Sequence, residues 1–594
     1  MPGVLRIANS SGFHGDRFEA VQEMVRGGPI DVLTGDYLAE LTMAILHRTR
    51  QKGRGYVATF LAQLEGVLAE CLARGIRVVT NAGGLDPEGL AAAVSELAAR
   101  LGSPARVAVV LGDDLTDRLD ALTQAGETFA HLDRGAALGD ARARVLTAHA
   151  YLGGWGIKEA LDRGADIVIC GRVTDAALVV GPAASHFGWA RHDWDRLAGA
   201  VAAGHILECG TQATGGNYAF FHEVPSLRDV GFPLAEVHED GSFVITKHPG
   251  TGGIVSIGTV TAQLVYEIAS PCYANPDVTA RFDTLELALE GPDRVRVTGA
   301  RGEPPTTTTK VGVNLAGGFR NTVTVLLAGL DIEAKARLVE DELFHAVGGR
   351  ETFATADARL VRRPVEDPGS NLDALAELRV VVTSPDQERV GRRFSSRVVA
   401  LMLASVPGVT GTAPPGDAAP FSVYWPTTVA NRHVHHRVLF EGLEIAVEAV
   451  AGSPAPPDAL PAEVGAAPAP GPTVRAPLGA LFGARSGDKG GNANLGVWAR
   501  TPEAYAFLRS FLTVGRLREL LPDTADFAVD RHELPNLHAL NFVLHGLLGE
   551  GVSASGRVDP QAKTLGEYLR ARFIDAPARL LEAPAPAWIG YQAK

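Results

Sequence analysis

From residue 4 to about 190, short apolar runs alternate with longer stretches whose apolar residues recur at three- and four-residue spacing. The runs at 5–8, 30–33, 76–80, 106–111 and 166–170 predict strands. The stretches at 59–74 and 87–101, rich in Ala, Leu and Glu, predict helices. Strand and helix in repeated alternation predict an α/β domain built on a mostly parallel, doubly wound sheet.

Further along the chain the pattern changes. Residues 204–260 carry two glycine-rich loops, residues 255–268 predict an apolar helix, and residues 280–330 alternate in a β manner. Helix and strand patterns mix over 331–450, so the sequence sets no boundary between 190 and 450. The clear break is at 451–473, where 451–472 holds seven prolines beside Ala and Gly and predicts an extended linker. The division is therefore a main α/β domain over 1–450, the linker, and a small α+β domain over 474–594. In the last, residues 478–484 predict a strand ahead of a glycine-rich loop, with helices at 502–511 and 565–573.

Composition narrows the class. The chain has 594 residues, 46% hydrophobic, and a formal charge of −13. Its Lys and Arg are scattered, which leaves nothing to neutralise a phosphate backbone and predicts no nucleic-acid partner. Cys71, Cys170, Cys209 and Cys272 are too few and too far apart for a disulfide framework, which predicts a reduced, cytoplasmic setting. The opening residues lack a basic, apolar and cleavable leader, and no window approaches the roughly 18 apolar residues of a membrane helix. A soluble, unanchored protein is expected, with no membrane partner.

Candidate chemistry gathers where the predicted strands end. Asn9, Ser10, Gly12, His14 and Asp16 follow the first; Asp36 and Glu40 follow the second; Asn81, Gly83 and Gly84 follow the third; Asp113 and Asp114 follow the fourth; Arg172 and Asp175 follow the fifth. Ligands of open α/β sheets bind beyond the carboxyl ends of the strands, so these exits point to one shared site. Each alone is also what a βα turn requires.

Lys247, His248, Gly250, Thr251, Gly252 and Gly253 have the makings of an anion cradle: a cation, and glycines that let N–H groups converge. A structural turn is the plainer alternative. The order does not fit a Walker A loop, and G-x-G-x-x-G is absent, which removes support for P-loop and nicotinamide chemistry. Arg485, Ser486, Asp488, Lys489, Asn492 and Asn494 share a glycine-rich segment that predicts a binding loop, or a solvated loop whose charges pair with each other. Cys209, with Thr211 and Gln212 in the other glycine-rich loop, has His205 four residues earlier, a spacing that suits thiolate formation. His433, His435 and His436 lack a companion ligand at a telling spacing, so no metal site is expected.

Taken together, Gly12-Phe13-His14-Gly15-Asp16-Arg17, Val32 through Glu40, Thr80 through Gly84, Gly171 through Asp175 and Lys247 through Gly253 resemble the AtuA-type acyclic terpene utilization family. Arg485 through Asn494 and Glu533-Leu534-Pro535-Asn536 resemble the ferredoxin-fold domain that accompanies it. The resemblance implies a part in the catabolism of acyclic terpenoids or of branched acids carried as CoA thioesters. The leading expectation is a hydratase or carbon–carbon lyase acting on a branched acyl-CoA. His14, Asp16, Asp36, Glu40 and Asp175 would do the proton work, and Arg172, Asn81 and the amides of Gly83 and Gly84 would hold developing charge. Lys247 and Gly250 to Gly253 would take the CoA phosphates, with CoA as part of the substrate and no intrinsic cofactor. The alternatives are a non-catalytic acyl-CoA-binding or assembly component, and a Cys209-dependent thioesterase or acyltransferase. A homo-oligomer is the expected assembly.

Overall fold

The structure, a computed structural model, describes residues 3–50, 53–454 and 471–582. Most of the expected linker, 455–470, lies outside the described residues. The chain forms two units, one of residues 1–314, 424–552 and 559–594, the other of 315–423 with 553–558.

In the first unit all five expected strands form, within two residues at each end. They are β1 (Val4–Asn9), β2 (Val32–Gly35), β3 (Arg77–Thr80), β4 (Val107–Leu111) and, after β5 (Val145–Ala150), β6 (Ile167–Cys170). They lie in the order β1-β2-β3-β6-β4, every neighbour parallel, with Ile7 opposite Val32 and Val78 opposite Ile167. Every residue of β2 and β6 is buried, on both faces, as the interior of a parallel sheet demands. Leu33, Val78 and Ile167 pack with Phe60, Leu64, Leu90, Val94 and Leu97 of the intervening helices in one core.

This parallel block is the centre of an eleven-stranded mixed sheet. On one side β7 (Pro233–His238) and β8 (Phe243–Lys247) run antiparallel, followed by Arg294–Thr298 and Glu286–Gly291. On the other lie Arg437–Phe440 and Leu443–Ala446. The mostly parallel expectation therefore holds for the block and not for its flanks. The reason is chain economy: β7 returns through a four-residue turn at 239–242, and short turns join only antiparallel neighbours.

The helix expected over 59–74 breaks into Ala58–Glu65 and Leu68–Arg74 around Gly66. Pro87–Arg100 forms as read, with Pro at its first position and the Asp86 carboxylate capping Gly89 N at 3.0 Å.

The C-terminal part has a four-stranded antiparallel sheet, Phe482–Lys489, Asn492–Ala499, Ala539–Leu544 and Val529–Leu534 in spatial order, with helices Pro502–Phe511, Val514–Leu520 and Leu565–Ala571. Phe482, Leu495, Val497, Leu508, Leu540 and Leu569 are among its core. Here the reading is corrected: the expected loop 485–494 is a β-hairpin with Lys489 opposite Asn492, and only Gly490 and Gly491 turn. Gly490 sits at φ +63, which suits a tight hairpin turn.

In the second unit, strand Leu375–Ser384 pairs with Thr355–Arg362 and with residues 319–328, and helices Ile332–Ala346 and Arg392–Ala404 contribute Val339, Leu343, Phe394 and Val398 to its core. Among the described residues, no helix is long and apolar enough to cross a membrane.

Candidate functional site

Because the central strands run the same way, their carboxyl ends share one edge of the sheet, and the side chains that follow them meet there. Asp36, buried after β2, accepts hydrogen bonds from Asn81 Nδ2 (2.7 Å) and Leu38 N (3.2 Å). Burial, and then neighbouring Asp175, hold its carboxyl well above the usual range despite Arg172. Arg172 follows β6 and is fixed from several sides. Its backbone N–H donates to Asp113 (2.9 Å), its guanidinium donates to Leu38 O (2.9 Å) and Asp175 (3.0 Å), and it lies 4.1 Å from the Tyr151 ring centroid. Asp113 is in turn held by His149 Nδ1 at 2.8 Å.

Glu40 opens the helix Glu40–Arg50 and faces Lys310 Nζ at 3.6 Å and the Tyr151 hydroxyl at 3.4 Å. The Tyr151 hydroxyl is also 3.3 Å from that of Tyr424. Burial acts to raise the Glu40 carboxyl, yet Lys310 and Arg172 outweigh it and bring the pKa down to about 2.

The hairpin tip of the C-terminal sheet adds Asp488 and Lys489 to the same group. Lys563 Nζ lies 3.3 Å from Glu267 and 3.9 Å from Asp488, and donates to the Tyr266 hydroxyl. Burial and Glu267 push Asp488 up to about 8; burial and Glu208 push Glu267 up to about 8. Burial and then Lys310 push the Lys489 ammonium down. Glu267 is held in the left-handed region at φ 57, its N–H donating to Asn494 Oδ1 at 2.7 Å.

Glu208 and His205 form a dyad. His205 Nε2 is 3.1 Å from the carbonyl of Gln263, which only accepts, so the hydrogen-bond network assigns the proton to Nε2 and leaves Nδ1 bare. Burial pushes the imidazole down to about 3, and burial with Asp175 holds Glu208 well above the ordinary carboxyl range. Oε1 of Glu208 lies 3.0 Å from Nδ1, which has no hydrogen-bond partner in the protein. Oε2 is buried without a partner in the protein.

Glu40, Glu267, Lys310 and Lys563 keep 29–37% of their side-chain surface open. Yet burial is the largest influence on the ionisation of each. Charged groups that are both open and deeply placed line a recess.

A family model for the acyclic terpene utilisation protein AtuA matches residues 5–440, and one for the AtuA ferredoxin-like domain matches 476–575. The chain belongs to the AtuA family. Comparison with curated proteins finds no match. The ferredoxin-like domain of this AtuA-family chain is the one that carries Asp488, Lys489 and Lys563 to the recess.

Other residues singled out from sequence serve the fold instead. Asn81 Nδ2 donates to Asp36 and its Oδ1 accepts from Tyr37 N, while Gly83 N donates to Cys170 O at 3.1 Å and Gly84 N to Asn81 O at 3.2 Å, so these two backbone amides are not left to hold developing charge. Asn9 Nδ2 donates to Leu207 O, and Ser10 Oγ to Thr34 O. Asp16 closes its own loop, accepting from Gly12 N at 2.8 Å and Arg17 N at 2.7 Å; His14 stays half-buried in that loop. Gly12 has a steric duty, since a Cβ there would meet the Cys209 carbonyl carbon at 2.8 Å.

The anion cradle is likewise spent. Lys247 Nζ pairs with Asp293 (3.2 Å) and donates to Thr251 O (2.9 Å). Gly252 N and Gly253 N donate to Asp229 O and Ser226 O, His248 Nε2 lies 3.0 Å from Met24 O, and Gly250 stands at φ +80 in the turn. Ser486 ties Ala562 O to Gly566 N, Asn492 reaches Asp133, Asn494 clamps Glu267, and Arg485 donates to Asn217 O. Thr211 O accepts from Gly216 N, while Gln212 Oε1 is buried without a partner in the protein. Burial and then Glu267 push the Cys209 thiol up, and burial pushes His205 down to about 3 with its Nε2 on the Gln263 carbonyl, so neither group is placed to favour a thiolate. His433, His435 and His436 face Glu127, Arg118 and the Gly156 backbone respectively, and do not converge.

Proposed function

We propose that this AtuA-family chain is an acid/base enzyme acting on a branched, terpenoid-derived acyl-CoA, either adding water to it or cleaving a carbon–carbon bond. The observation that carries the reading is the contrast between two carboxyl groups that both act on Lys489. Burial and Asp175 drive the Glu208 carboxyl well above the ordinary range, while Lys310 and Arg172 bring the Glu40 carboxyl down to about 2 against burial. Environments that drive two carboxyls apart in this way assign an acid and an anion to one site.

In this reading Glu208 gives its proton to one substrate carbon, and Glu40 takes the proton that the attacking water gives up as its hydroxyl adds to the other. Arg172 and Lys310 stabilise the negative charge that develops on the thioester oxygen. Asp36 and Asp175 set the field around them. The doubly wound character of the parallel block supplies the crevice, CoA belongs to the substrate, and no further cofactor takes part.

The test is incubation of the protein with branched enoyl-CoA and 3-hydroxyacyl-CoA thioesters, reading product mass and melting temperature together. Gain or loss of water, or a shortened acyl chain, is expected. Stabilisation with every mass unchanged would replace the enzyme by an acyl-CoA-binding component.

A further inference from the structure

The chain has 47 arginines and only 8 lysines, at positions 52, 158, 247, 310, 335, 489, 563 and 594. Three of the eight, Lys310, Lys489 and Lys563, meet at one recess. A guanidinium does not give up its proton in a protein, whereas an amine does. Where a chain otherwise relies on arginine for positive charge, lysines gathered at one place point to chemistry that needs the neutral amine.

The three are not equivalent. Lys310 is paired with Glu40 at 3.6 Å, and Lys563 with Glu267 at 3.3 Å. Among the described residues Lys489 makes no ion pair; its Nζ lies 5.5 Å from the Tyr273 ring centroid. It stands at the end of a hairpin strand whose turn is only Gly490-Gly491, which presents the amine on a rigid support. A second ammonium, Lys310, lies close enough to act on it, and desolvation beside another cation is how an amine becomes a nucleophile. Glu208 supplies a proton source in the same group.

We propose that Lys489 forms an imine with a ketone or aldehyde carbonyl of the substrate. The neutral amine adds to the carbonyl carbon to give a carbinolamine; a proton from Glu208 lets the hydroxyl leave as water, and a carbon–nitrogen double bond forms. No electrons are gained or lost, and the iminium can then accept the electron pair of a carbon–carbon bond two atoms away. The proposal rests on the acid/base reading of the recess and selects its lyase branch, with a 3-hydroxy ketone or aldehyde as the substrate class: as the bond breaks, the hydroxyl-bearing carbon becomes the carbonyl of the departing fragment and its hydroxyl proton passes to a carboxylate of the site.

The experiment treats the full chain with acetoacetyl-CoA, and separately with acetone, in the presence of borohydride, and maps the reduced adducts by peptide mass. The expected result is an adduct concentrated on Lys489, lost in Lys489→Arg while Lys158 and Lys335 label as before. Labelling of Lys489 no greater than that of Lys158 and Lys335 overturns the proposal. Turnover of thioesters without the adduct removes the imine and keeps the acid/base reading; the adduct without thioester turnover supports the imine and removes the acyl-CoA reading.

Discussion

Nδ1 of His205 lies 3.0 Å from Oε1 of Glu208, with the Tyr273 and Phe282 rings beside the imidazole. Nε2 is committed to the Gln263 carbonyl, Nδ1 has no hydrogen-bond partner, and burial with Asp175 holds the Glu208 carboxyl well above the ordinary range. Glu208→Gln keeps the side-chain shape beside Nδ1 and removes the acid. Turnover should fall by roughly 10²–10⁴-fold, with little change in melting temperature. A comparable loss of melting temperature would make Glu208 a packing residue.

Glu267 stands at φ 57, where a side chain is disfavoured, and its carboxyl pairs with Lys563 at 3.3 Å while burial and Glu208 push its pKa up. Glu267→Gly relieves the left-handed conformation, worth about 1–2 kcal/mol, and loses the Lys563 pair and some chain entropy, together about 1–2 kcal/mol, so stability should change little while turnover drops. Urea unfolding and product formation on the same preparation check both halves.

Lys247 tests whether the glycine-rich turn after β8 is structural. Its side chain is nearly closed to solvent and paired with Asp293. Lys247→Met should cost up to about 3 kcal/mol, lessened by solvent at the Asp293 end, and leave the KM for thioesters unchanged. A raised KM with unchanged stability would return this turn to the CoA phosphates.

Asp277 sets a pH dependence. Its Oδ2 accepts from Gly154 N, and burial pushes its pKa up to about 6. The folded state then holds this proton more tightly than the unfolded chain. Stability from this group is full below pH 4 and is lost as pH rises through 6. Asp277→Asn should gain on the wild type across that window, by on the order of 2–3 kcal/mol, and hold the gain above it. Denaturation curves from pH 4 to pH 8 read the difference; parallel curves would contradict it.

What the sequence made legible follows from range. The parallel strands were readable because each is a continuous apolar run, and Asp36, Glu40, Arg172 and Asp175 because they follow those runs directly. The antiparallel flanks were not, since the partners of β1 and β4 lie more than 200 residues away. Asp488 and Lys489 were picked out for a loop that proved to be a hairpin. Tyr151, Glu208, Glu267, Lys310, Tyr424 and Lys563 were missed as site groups, because each comes from a separate segment with no local motif. One signal was present: eight lysines in the whole chain made each of them worth placing. The glycine-rich turn misled for the opposite reason, since the groups that would make an anion cradle also close a buried turn.

The measurement that bears most directly on the central claim is incubation of branched acyl-CoA thioesters in deuterium oxide, with wild type and Glu208→Gln side by side, followed by mass. Wild type should place deuterium on carbon or change the product mass, and Glu208→Gln should lose most of that signal. Unchanged masses in the wild type, or an equal signal from both proteins, would contradict Glu208 as the acid of this site.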